Sequence, residues 1–433
     1  MRFNTLKDWL TWQETLHPVE IDLGLERASA VLARLKLTQP GFTLITVAGT
    51  NGKGSSVAML EAVLLAAGYR VGSYTSPHLL RYNERIKLAG KPVDDATLCA
   101  SFERIDQARA DVRLTYFEFG TLAAIDILHR AGVDVAILEV GLGGRLDAVN
   151  ILDADVALIT AIGVDHVDWL GGDRETIARE KAGILRAGQP AVCADPLPPA
   201  SLLSVAESLG TSLSLLGKDF FLERFVERSG GQKVDGWRWR NSQHRFENLP
   251  LPALPGDFQL NNAAGVLAVL SCLRADFPVD AAAIARGLRS VSLPGRFQII
   301  PGMPLQIFDV AHNAQSAQAL ANNLLCQDCQ GRTFAVLGML ADKDIDAVVE
   351  QLCSVVDHWY LAPLPVPRAA PVGQLQAALL ARPTETATRS VSIDIFNDVA
   401  AAYQAALAAG AAEDRIVVTG SFYTVAAVLG EAV

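Results

Sequence analysis

A glycine-rich segment with a single lysine is the first part of the sequence whose residue types and spacing could do chemistry. Residues 49–56 read Gly-Thr-Asn-Gly-Lys-Gly-Ser-Ser, between the apolar run Phe42–Ala48 and a helical apolar segment. A buried strand, a glycine-rich turn and a helix N-terminus form an anion cradle, because glycines let backbone N–H groups converge and the helix dipole adds partial positive charge. We therefore expect Lys53 to reach the β- and γ-phosphates of a nucleotide.

The segment departs from the usual phosphate-loop pattern GxxxxGK[ST]. Val47 stands where the first glycine should be, and Gly54 follows the lysine. On this segment alone, an ordinary glycine-rich strand-to-helix turn with an exposed lysine remains an alternative.

Two further predicted strands end in polar residues of the right type. Val133–Val140 contains Glu139 near its end, and Val156–Ile162 is followed by Asp165 and His166. In open α/β sheets ligands bind beyond the carboxyl ends of strands, and a carboxylate there suits the Mg²⁺ that bridges nucleotide phosphates. Each residue alone could be structural, a strand-end glutamate in solvent or a structural histidine. A nucleotide–magnesium site is favoured, because a lysine, a glutamate and a histidine follow three strands of the same predicted sheet.

Around these residues, short apolar runs rich in Val and Ile alternate with longer helical segments, which predicts βαβ units and a mostly parallel sheet flanked by helices. Further strands are predicted at Tyr69–Tyr74 and Pro190–Cys193, and helices at Ser55–Ala67, Ala96–Ala110, Glu118–Ala131, Arg174–Arg186 and Leu202–Leu209.

Residues 219–250 break this alternation. The polar and aromatic residues of 232–240 alternate around an expected Asp235-Gly236 turn, which predicts a small antiparallel section. Its Trp-Arg-Trp-Arg run is interpreted as a solvated sheet face and not as a nucleic-acid patch.

A second alternation begins near residue 305 and predicts a Rossmann-like α/β domain. Its strands are expected at Leu305–Val310, Thr333–Met339, Trp359–Leu361 and Arg415–Thr419, and its helices at Ala314–Leu325, Ile345–Ser354, Gly373–Leu380, Asp394–Ala409 and Phe422–Leu429. The stretch Leu293–Phe297 lies between the two blocks. We therefore predict two domains, residues 1–294 with the phosphate loop and residues 295–433.

Composition excludes several classes of protein. The 433 residues are 50% hydrophobic, with 34 Gly and 20 Pro, which argues against a disordered or collagen-like chain. The formal net charge of −10 is the wrong sign for coating nucleic acid or an anionic membrane. Six cysteines are too few for a disulfide scaffold, and the lone CxxC of Cys326 and Cys329 is at most half of a zinc site. No signal peptide or membrane span is visible in the sequence. We expect a cytoplasmic protein.

Several motifs then occur in a fixed order: residues 49–55, Ser76-Pro-His-Leu with Glu84-Arg-Ile, residues 138–147, Asp165-His166, Glu180-Lys-Ala-Gly-Ile, Pro294-Gly-Arg296 and Asp309-Val-Ala-His-Asn. In these motifs the chain resembles the folylpolyglutamate synthase branch of the Mur ligase superfamily, and most closely its bifunctional bacterial members, which also have dihydrofolate synthase activity. The resemblance spans nearly the whole chain, from about Asp22 to the last helix.

The resemblance implies an ATP-dependent ligase of folate biosynthesis and one-carbon metabolism. ATP would phosphorylate a carboxylate of dihydropteroate or of a reduced folate, and the amino group of L-glutamate would attack the acyl phosphate. It also implies the nucleotide and metal ligands. The phosphates would be held by Asn51, Gly52, Lys53, Gly54 and Ser55, and Mg²⁺ by Ser76, Glu139, His166 and a carbamylated Lys181 near a second Mg²⁺.

For Lys181, sequence alone favours a simple alternative, a cation at a helix C-terminus. The remaining implied nucleotide contacts are Asn262, Arg296 and Asp309, with His312 close by. Lys53, Lys181, His166, Arg296 and His312 form the expected catalytic set. A strand-end aspartate in an ordinary turn is the alternative for Asp309.

Three segments match the family's dihydropteroate contacts: Ile21, Asp22 and Leu23; Thr115, Tyr116, Phe117 and Glu118; and Leu146, Asp147 and Ala148. Phe117 would stack on the flat pterin, and Asp22 or Asp147 would accept its N–H donors.

Three alternatives remain at this stage: a folylpolyglutamate synthase without the dihydropteroate activity, a peptidoglycan-type ligase, and a P-loop NTPase switch or binding module without ligation. The expected partners are small molecules only, with no nucleic acid and no membrane, and the resemblance suggests a monomer.

Overall fold

The chain folds into two units, which we describe in turn from a computed structural model. The structure describes residues 2–229, 232–381 and 392–430. The first unit contains residues 1–253 and 259–292, and the second contains residues 254–258 and 293–433.

An eight-stranded, mostly parallel sheet forms the centre of the first unit. Its strands are β1 (Thr43–Ala48), β2 (Val71–Tyr74), β3 (Ile86–Leu88), β4 (Lys91–Pro92), β5 (Val135–Glu139), β6 (Val156–Ile159), β7 (Pro190–Cys193) and β8 (Ser212–Leu215). They lie in the order β4-β3-β2-β5-β1-β6-β7-β8, and only β3 and β4, at one edge, pair antiparallel. Because β1 pairs in parallel with both β5 and β6, the carboxyl ends of these three strands meet at one edge, as the sequence predicts.

Helices cover this sheet. They are α1 (Leu6–Leu16), α2 (Glu26–Arg34), α3 (Lys53–Ala66), α4 (Asp95–Arg109), α5 (Tyr116–Ala131), α6 (Val167–Leu170), α7 (Arg174–Ala182), α8 (Ala200–Leu209), α9 (Asp257–Cys272) and α10 (Ala281–Ser290), with short 3₁₀ turns at Tyr82–Arg85 and Ala148–Ile151. Five of these helices were not predicted from the sequence: α1, α2, α6, α9 and α10. Trp9 of α1 is fully buried against Phe102 and Phe119, so α1 forms part of the core next to the sheet.

The antiparallel section is a three-stranded sheet in the order β11-β10-β9, formed by β9 (Phe220–Ser229), β10 (Gln232–Asn241) and β11 (Arg245–Pro250). The predicted Asp235-Gly236 turn is wrong, because both residues lie inside β10. A Cβ atom on Gly236 would stand 2.9 Å from the Leu249 carbonyl oxygen, so this glycine permits a close approach of strands. Trp237 and Trp239 are buried, while Arg238 pairs with Glu227 on the solvated face.

The second unit is a six-stranded α/β sheet. Its strands are β12 (Gln298–Ile300), β13 (Leu305–Phe308), β14 (Thr333–Leu337), β15 (His358–Leu361), β16 (Ser392–Ile395) and β17 (Arg415–Thr419), and its helices are α11 (Ala314–Cys326), α12 (Ile345–Leu352), α13 (Val372–Leu380), α14 (Val399–Ala409) and α15 (Phe422–Leu429). The strand order is β12-β13-β17-β14-β15-β16, and all pairs except β12 with β13 are parallel.

The helix predicted at Asp394–Ala409 is corrected at its start. Asp394 belongs to β16, and α14 begins only after Asp398, whose side chain accepts the Ala401 N–H and caps the helix. In both units the α/β class is as predicted.

None of the helices within the described residues is long and apolar enough to cross a membrane.

Candidate active site

The glycine-rich loop after β1 has a backbone that only glycine allows at two points. Gly49 and Gly52 have φ angles of 153° and 92°. A Cβ on Gly49 would collide with Thr160, and one on Gly52 would lie 2.5 Å from the Asn262 Oδ1. The loop then enters α3 at Lys53, two residues earlier than predicted, so Lys53, Gly54 and Ser55 form the first turn of the helix. Their N–H groups belong to the end of the helix that favours anions.

The loop is fixed to the end of β6 by side chains. Thr160 Oγ1 donates to the Asn51 carbonyl at 2.8 Å, and Thr50 Oγ1 donates to the Gly163 carbonyl at 2.9 Å. These bonds hold the loop and the segment that leads to Asp165 and His166 against each other.

Two lysines converge on one carbonyl oxygen of this loop. Lys53 Nζ donates to the carbonyls of Gly49 and Thr50, each at 3.1 Å, and Lys181 Nζ donates to the Gly49 carbonyl at 2.9 Å. Lys181 comes from the last turn of α7 and is only 3% exposed. Lys181 does lie at a helix C-terminus, as the simple alternative expects, but its ammonium group is buried and directed into the loop.

The surroundings of Lys181 disfavour its charged form. Burial, and secondly the positive charge of Lys53, lower its pKa from 10.5 to about 7, although Asp165 and Asp147 oppose the shift. The lowered pKa favours the neutral amine, which is the nucleophilic form of lysine.

Glu139 and Ser76 stand side by side at the carboxyl ends of β5 and β2. Glu139 is 5% exposed, and its carboxylate accepts the Ser76 N–H at 3.4 Å. Beyond Ser76, the Glu84 carboxylate accepts the N–H groups of residues 79, 80 and 81 at 2.7–2.9 Å, which fixes that turn.

These side chains offer hard oxygen donors that fit Mg²⁺, which takes few protein ligands and keeps several waters. In the described portion of the chain, no three His, Cys, Asp or Glu side chains gather closely enough to hold a metal by themselves.

His166 follows β6, three residues after Gly163, whose carbonyl accepts from Thr50 of the loop. It has a φ angle of 53°, stands directly before the short helix α6, and is exposed. Arg174, which the sequence analysis did not single out, holds this segment because it donates to the Ile162 carbonyl at 2.9 Å and to Asp195 at 3.0 Å.

Asn262 of α9 completes the surroundings of the loop. Its amide donates to Gln259 Oε1 at 2.9 Å, and Gln259 donates in turn to Ser55 Oγ at 3.2 Å. All three side chains are nearly fully buried. This chain connects the predicted nucleotide contact Asn262 with the first turn of α3.

Two of the segments predicted to bind pteroate meet near β5. The Phe117 ring lies against Gly141, where a Cβ would come within 2.5 Å of it. Asp147 is buried and accepts the N–H groups of Leu142 and Val149 at 2.8 and 2.9 Å. Burial raises the pKa of Asp147 to about 6, although these hydrogen bonds and the positive charge of Lys53 act to lower it.

The third segment is held by a residue that the sequence analysis missed. Arg27 donates to the Asp22 carboxylate at 2.7 Å and to Glu118 at 3.1 Å. Glu118 also forms a capping box with Thr115, so its carboxylate helps to fix the N-terminus of α5. No local pattern marks Arg27, because its two partners lie 5 and 91 residues away.

In the second unit, Arg296, Asp309 and His312 lie around the end of β13. Asp309 accepts the N–H groups of Phe297 and Ala311 at 2.8 and 2.9 Å, and burial raises its pKa although Arg296 opposes this. The Arg296 guanidinium lies 5.1 Å from the centre of the Phe422 ring, and His312 Nδ1 lies 2.8 Å from the Val310 carbonyl oxygen.

Comparisons with known proteins show the family of the chain. Residues 47–270 match the Mur ligase middle domain, and residues 295–422 match the Mur ligase glutamate ligase domain. The chain is 46% identical over 424 residues to a dihydrofolate synthase/folylpolyglutamate synthase of Escherichia coli, covering 98% of this chain and 94% of the relative. It is 40% identical to the protein of that name from Haemophilus influenzae, covering 97% and 96%.

Solved structures give the same result. The structure of E. coli FolC in complex with DHPP and ADP has a TM-score of 0.91 at 45% identity and covers 99% of this chain and 98% of its own. A bifunctional folylpolyglutamate synthase/dihydrofolate synthase with Mn, AMPPNP and L-glutamate bound has a TM-score of 0.88 at 46% identity, with the same coverage.

Proposed function

Because the chain belongs to the Mur ligase family, we propose that it joins L-glutamate to dihydropteroate and to folyl-(poly)glutamates at the expense of ATP. It is an ATP-dependent ligase of folate metabolism, as its relatives' names and nearly full-length similarity indicate. The observation that supports the residue assignments is the meeting of Lys53 and Lys181 at the Gly49 carbonyl, just beyond the carboxyl end of β1.

The reaction would proceed in two steps. The γ-phosphoryl group passes to the substrate carboxylate, ADP leaves, and the resulting acyl phosphate is an electrophile, which a carboxylate is not. The glutamate nitrogen then attacks the acyl carbon, phosphate leaves, and the nitrogen loses a proton. Negative charge gathers on the phosphoryl oxygens, so fixed positive groups accelerate the first step.

The residues fit these roles. The backbone N–H groups of residues 51–54 and the Lys53 ammonium would hold the phosphates, with Ser55 and Asn262 beside them. Ser76, Glu139 and His166 would hold Mg²⁺, which supplies charge neutralisation at the phosphates when bound. In the second unit, Arg296 and Asp309 are proposed nucleotide contacts, of which Arg296 would supply a positive charge, and His312 would orient the nucleotide or the glutamate.

Lys181 would be carbamylated. A neutral amine attacks CO₂ to form a carbamate with loss of a proton, and the lowered pKa of Lys181, about 7, makes the neutral amine available. The product is an anion beside Lys53, whereas the free ammonium group is a second buried cation.

Labelling tests this assignment. Protein exchanged into ¹³C-bicarbonate should show one carbamate carbon signal that is missing from Lys181→Ala, and Lys181→Ala should lose activity. A Lys181→Ala variant with full activity, or the same signal in both proteins, would refute the assignment. Lys218→Ala, outside the site, is the matched control.

The pteroate would lie near the three segments that contain Asp22, Phe117 and Asp147. Phe117, against Gly141 and partly exposed, offers a ring face for the pterin, and the neighbouring acidic side chains offer acceptors for its N–H groups. This is the basis for proposing both activities and not folate extension alone. One relative, 33% identical and from Lacticaseibacillus casei, is named folylpolyglutamate synthase only.

One assay separates the alternatives. ADP and phosphate release is measured with ATP, Mg²⁺ and L-glutamate, adding dihydropteroate, tetrahydrofolate or a UDP-muramoyl peptide in turn. Release with both dihydropteroate and tetrahydrofolate is expected. Release with tetrahydrofolate alone would reduce the function to a folylpolyglutamate synthase, release with the muramoyl peptide would indicate a peptidoglycan-type ligase, and release without any acceptor would indicate an NTPase.

We also propose that the protein acts as a monomer in the cytoplasm, as the family resemblance suggests. Light scattering during size exclusion should give the mass of one chain.

A further inference from the structure

We propose that Arg27 is a positioning residue for the pteroate substrate, and that it acts by joining two of the segments that bind this substrate. The inference rests on the proposed function, since it concerns the same pocket. Arg27 lies in the first turn of α2 and belongs to none of the three segments.

On one side, Arg27 holds the segment that contains Asp22. Its Nη1 donates to the Asp22 carboxylate at 2.7 Å, and its Nη2 donates to the Asp22 backbone carbonyl at 2.6 Å. Residues 18–24 contain neither helix nor strand, so no ladder of backbone hydrogen bonds fixes them. The other ion pair of Asp22 in the described structure is with His17, at 3.4 Å.

On the other side, Arg27 holds the start of α5. Its Nε donates to both oxygens of Glu118, at 3.1 and 3.3 Å. Glu118 has 4% of its side chain exposed and accepts the Thr115 N–H at 2.7 Å. The guanidinium group thus connects an irregular segment to a rigid helix N-terminus that carries Phe117.

The chemistry of arginine suits this task. Its planar fork presents five N–H donors in fixed directions and can serve two carboxylates at once, which the compact ammonium group of lysine cannot do equally well. Without the guanidinium, Asp22 and Glu118 would repel each other, and Glu118 would be left as a buried charge without its cation. Asp22 would then lose its fixed position relative to Phe117.

A positioning role predicts a selective kinetic effect. Arg27→Gln should raise the KM for dihydropteroate by about tenfold, because the charged hydrogen bonds that fix Asp22 relative to Phe117 are lost and binding must then order this segment. The KM values for ATP and L-glutamate should change less than twofold, because the phosphate loop is untouched.

Arg34→Gln is the matched control. Arg34 lies on the same helix and also bridges to another element, donating to the carbonyls of Ala108 and Arg109 at 3.2 and 2.8 Å. It contacts none of the three segments in the described structure. It should leave all three KM values unchanged.

Two further variants keep the test decisive if Arg27→Gln folds poorly. Arg27→Gln/Glu118→Gln removes the buried charge together with its partner, and should fold. Its KM for dihydropteroate should exceed that of Glu118→Gln alone, because Glu118 is itself a predicted pteroate contact. Arg27→Lys should recover only part of the wild-type KM.

The inference about Arg27 would be wrong if the KM for dihydropteroate stayed at the wild-type value in both Gln variants. It would also be wrong if all three KM values rose in parallel. Neither result would contradict the proposed function. A wild-type enzyme that releases no phosphate with dihydropteroate would overturn the proposed bifunctional activity and this inference with it.

Discussion

Two lysines of the site donate to the same carbonyl oxygen. Lys53 and Lys181 both contact Gly49, and the positive charge of Lys53 helps burial to lower the pKa of Lys181. Such repulsion is tolerated where an anion is to be bound, and perturbed groups of this kind cluster at functional sites. A nucleotide phosphate or a carbamate on Lys181 would relieve it.

Lys53→Ala should therefore abolish turnover while leaving the fold intact. We expect kcat to fall by about 10²- to 10³-fold, as for other lost donors to a transition-state anion. Turnover is measured by ADP release, and the fold by circular dichroism and thermal unfolding. Lys91→Ala, an exposed lysine in β4, is the control and should keep full activity. Normal turnover in Lys53→Ala would mean that the phosphate loop is misassigned.

His78 gives a pH-dependent contribution to stability. Burial and the adjacent Arg85, which donates to its Nδ1 at 2.9 Å, lower its pKa from 6.5 to about 4. Between these values the unfolded chain binds a proton that the folded protein does not, so stability falls as pH falls from 6.5 to 4. The loss from this group amounts to at most about 3 kcal/mol.

Urea unfolding of the wild type and of His78→Gln between pH 7.5 and 4.5 tests this. The difference in unfolding free energy between the two proteins should shift in favour of His78→Gln as the pH drops. His129→Gln, an exposed histidine of α5, controls for the loss of an imidazole. A constant difference across the pH range would contradict the prediction.

At the scale of elements, the position of the phosphate loop depends on how α3 is packed. Helix α10 packs closely on it, because Gly287 lies so near Val63 that a Cβ would stand 2.6 Å from the Val63 Cα. Tight packing of this kind leaves no room for a methyl group without displacement of backbone.

Gly287→Ala should lower the free energy of unfolding by about 1–3 kcal/mol and raise the KM for ATP, because α3 must shift. Gly373→Ala in α13 is the matched control, since no atom lies within 4 Å of the position of its Cβ. That variant should be neutral or slightly stabilising. Denaturant unfolding and ATP saturation curves measure both effects, and equal behaviour of the two variants would show that the contact is unimportant.

At the scale of the whole molecule, an acidic chain must bind anionic substrates. The net charge of −10 is overcome locally, because the first turn of α3 and the Lys53 ammonium group lie together at one edge of the sheet. The positive field needs only to act over a few ångströms, since salt screens longer distances.

Nucleotide binding should therefore stabilise the molecule. Mg²⁺–ADP at one hundred times its Kd should add about 2.7 kcal/mol to the unfolding free energy, a rise of a few degrees in Tm. The rise should vanish in Lys53→Ala and persist in Lys91→Ala. Differential scanning fluorimetry measures it, and an equal rise in Lys53→Ala would place the nucleotide elsewhere.

The sequence by itself determined the class of fold and the candidate phosphate loop. Apolar runs of strand length alternating with helical segments predict parallel βαβ units, and parallel pairing brings the ends of β1, β5 and β6 to one edge. These features are local or follow from general rules of connection. The errors arose where a local signal has two interpretations: Asp235-Gly236 resembles a turn but lies within β10, and Asp394 lies in a strand before α14.

Only the tertiary structure decided which distant side chains meet. Lys181 reaches a carbonyl 132 residues earlier in the chain, and Arg27 reaches a carboxylate 91 residues later. Neither contact follows from periodicity or spacing, because a side chain's partners depend on where the intervening chain returns. The depressed pKa of Lys181 has the same origin, since burial and a neighbouring charge exist only once the elements have packed.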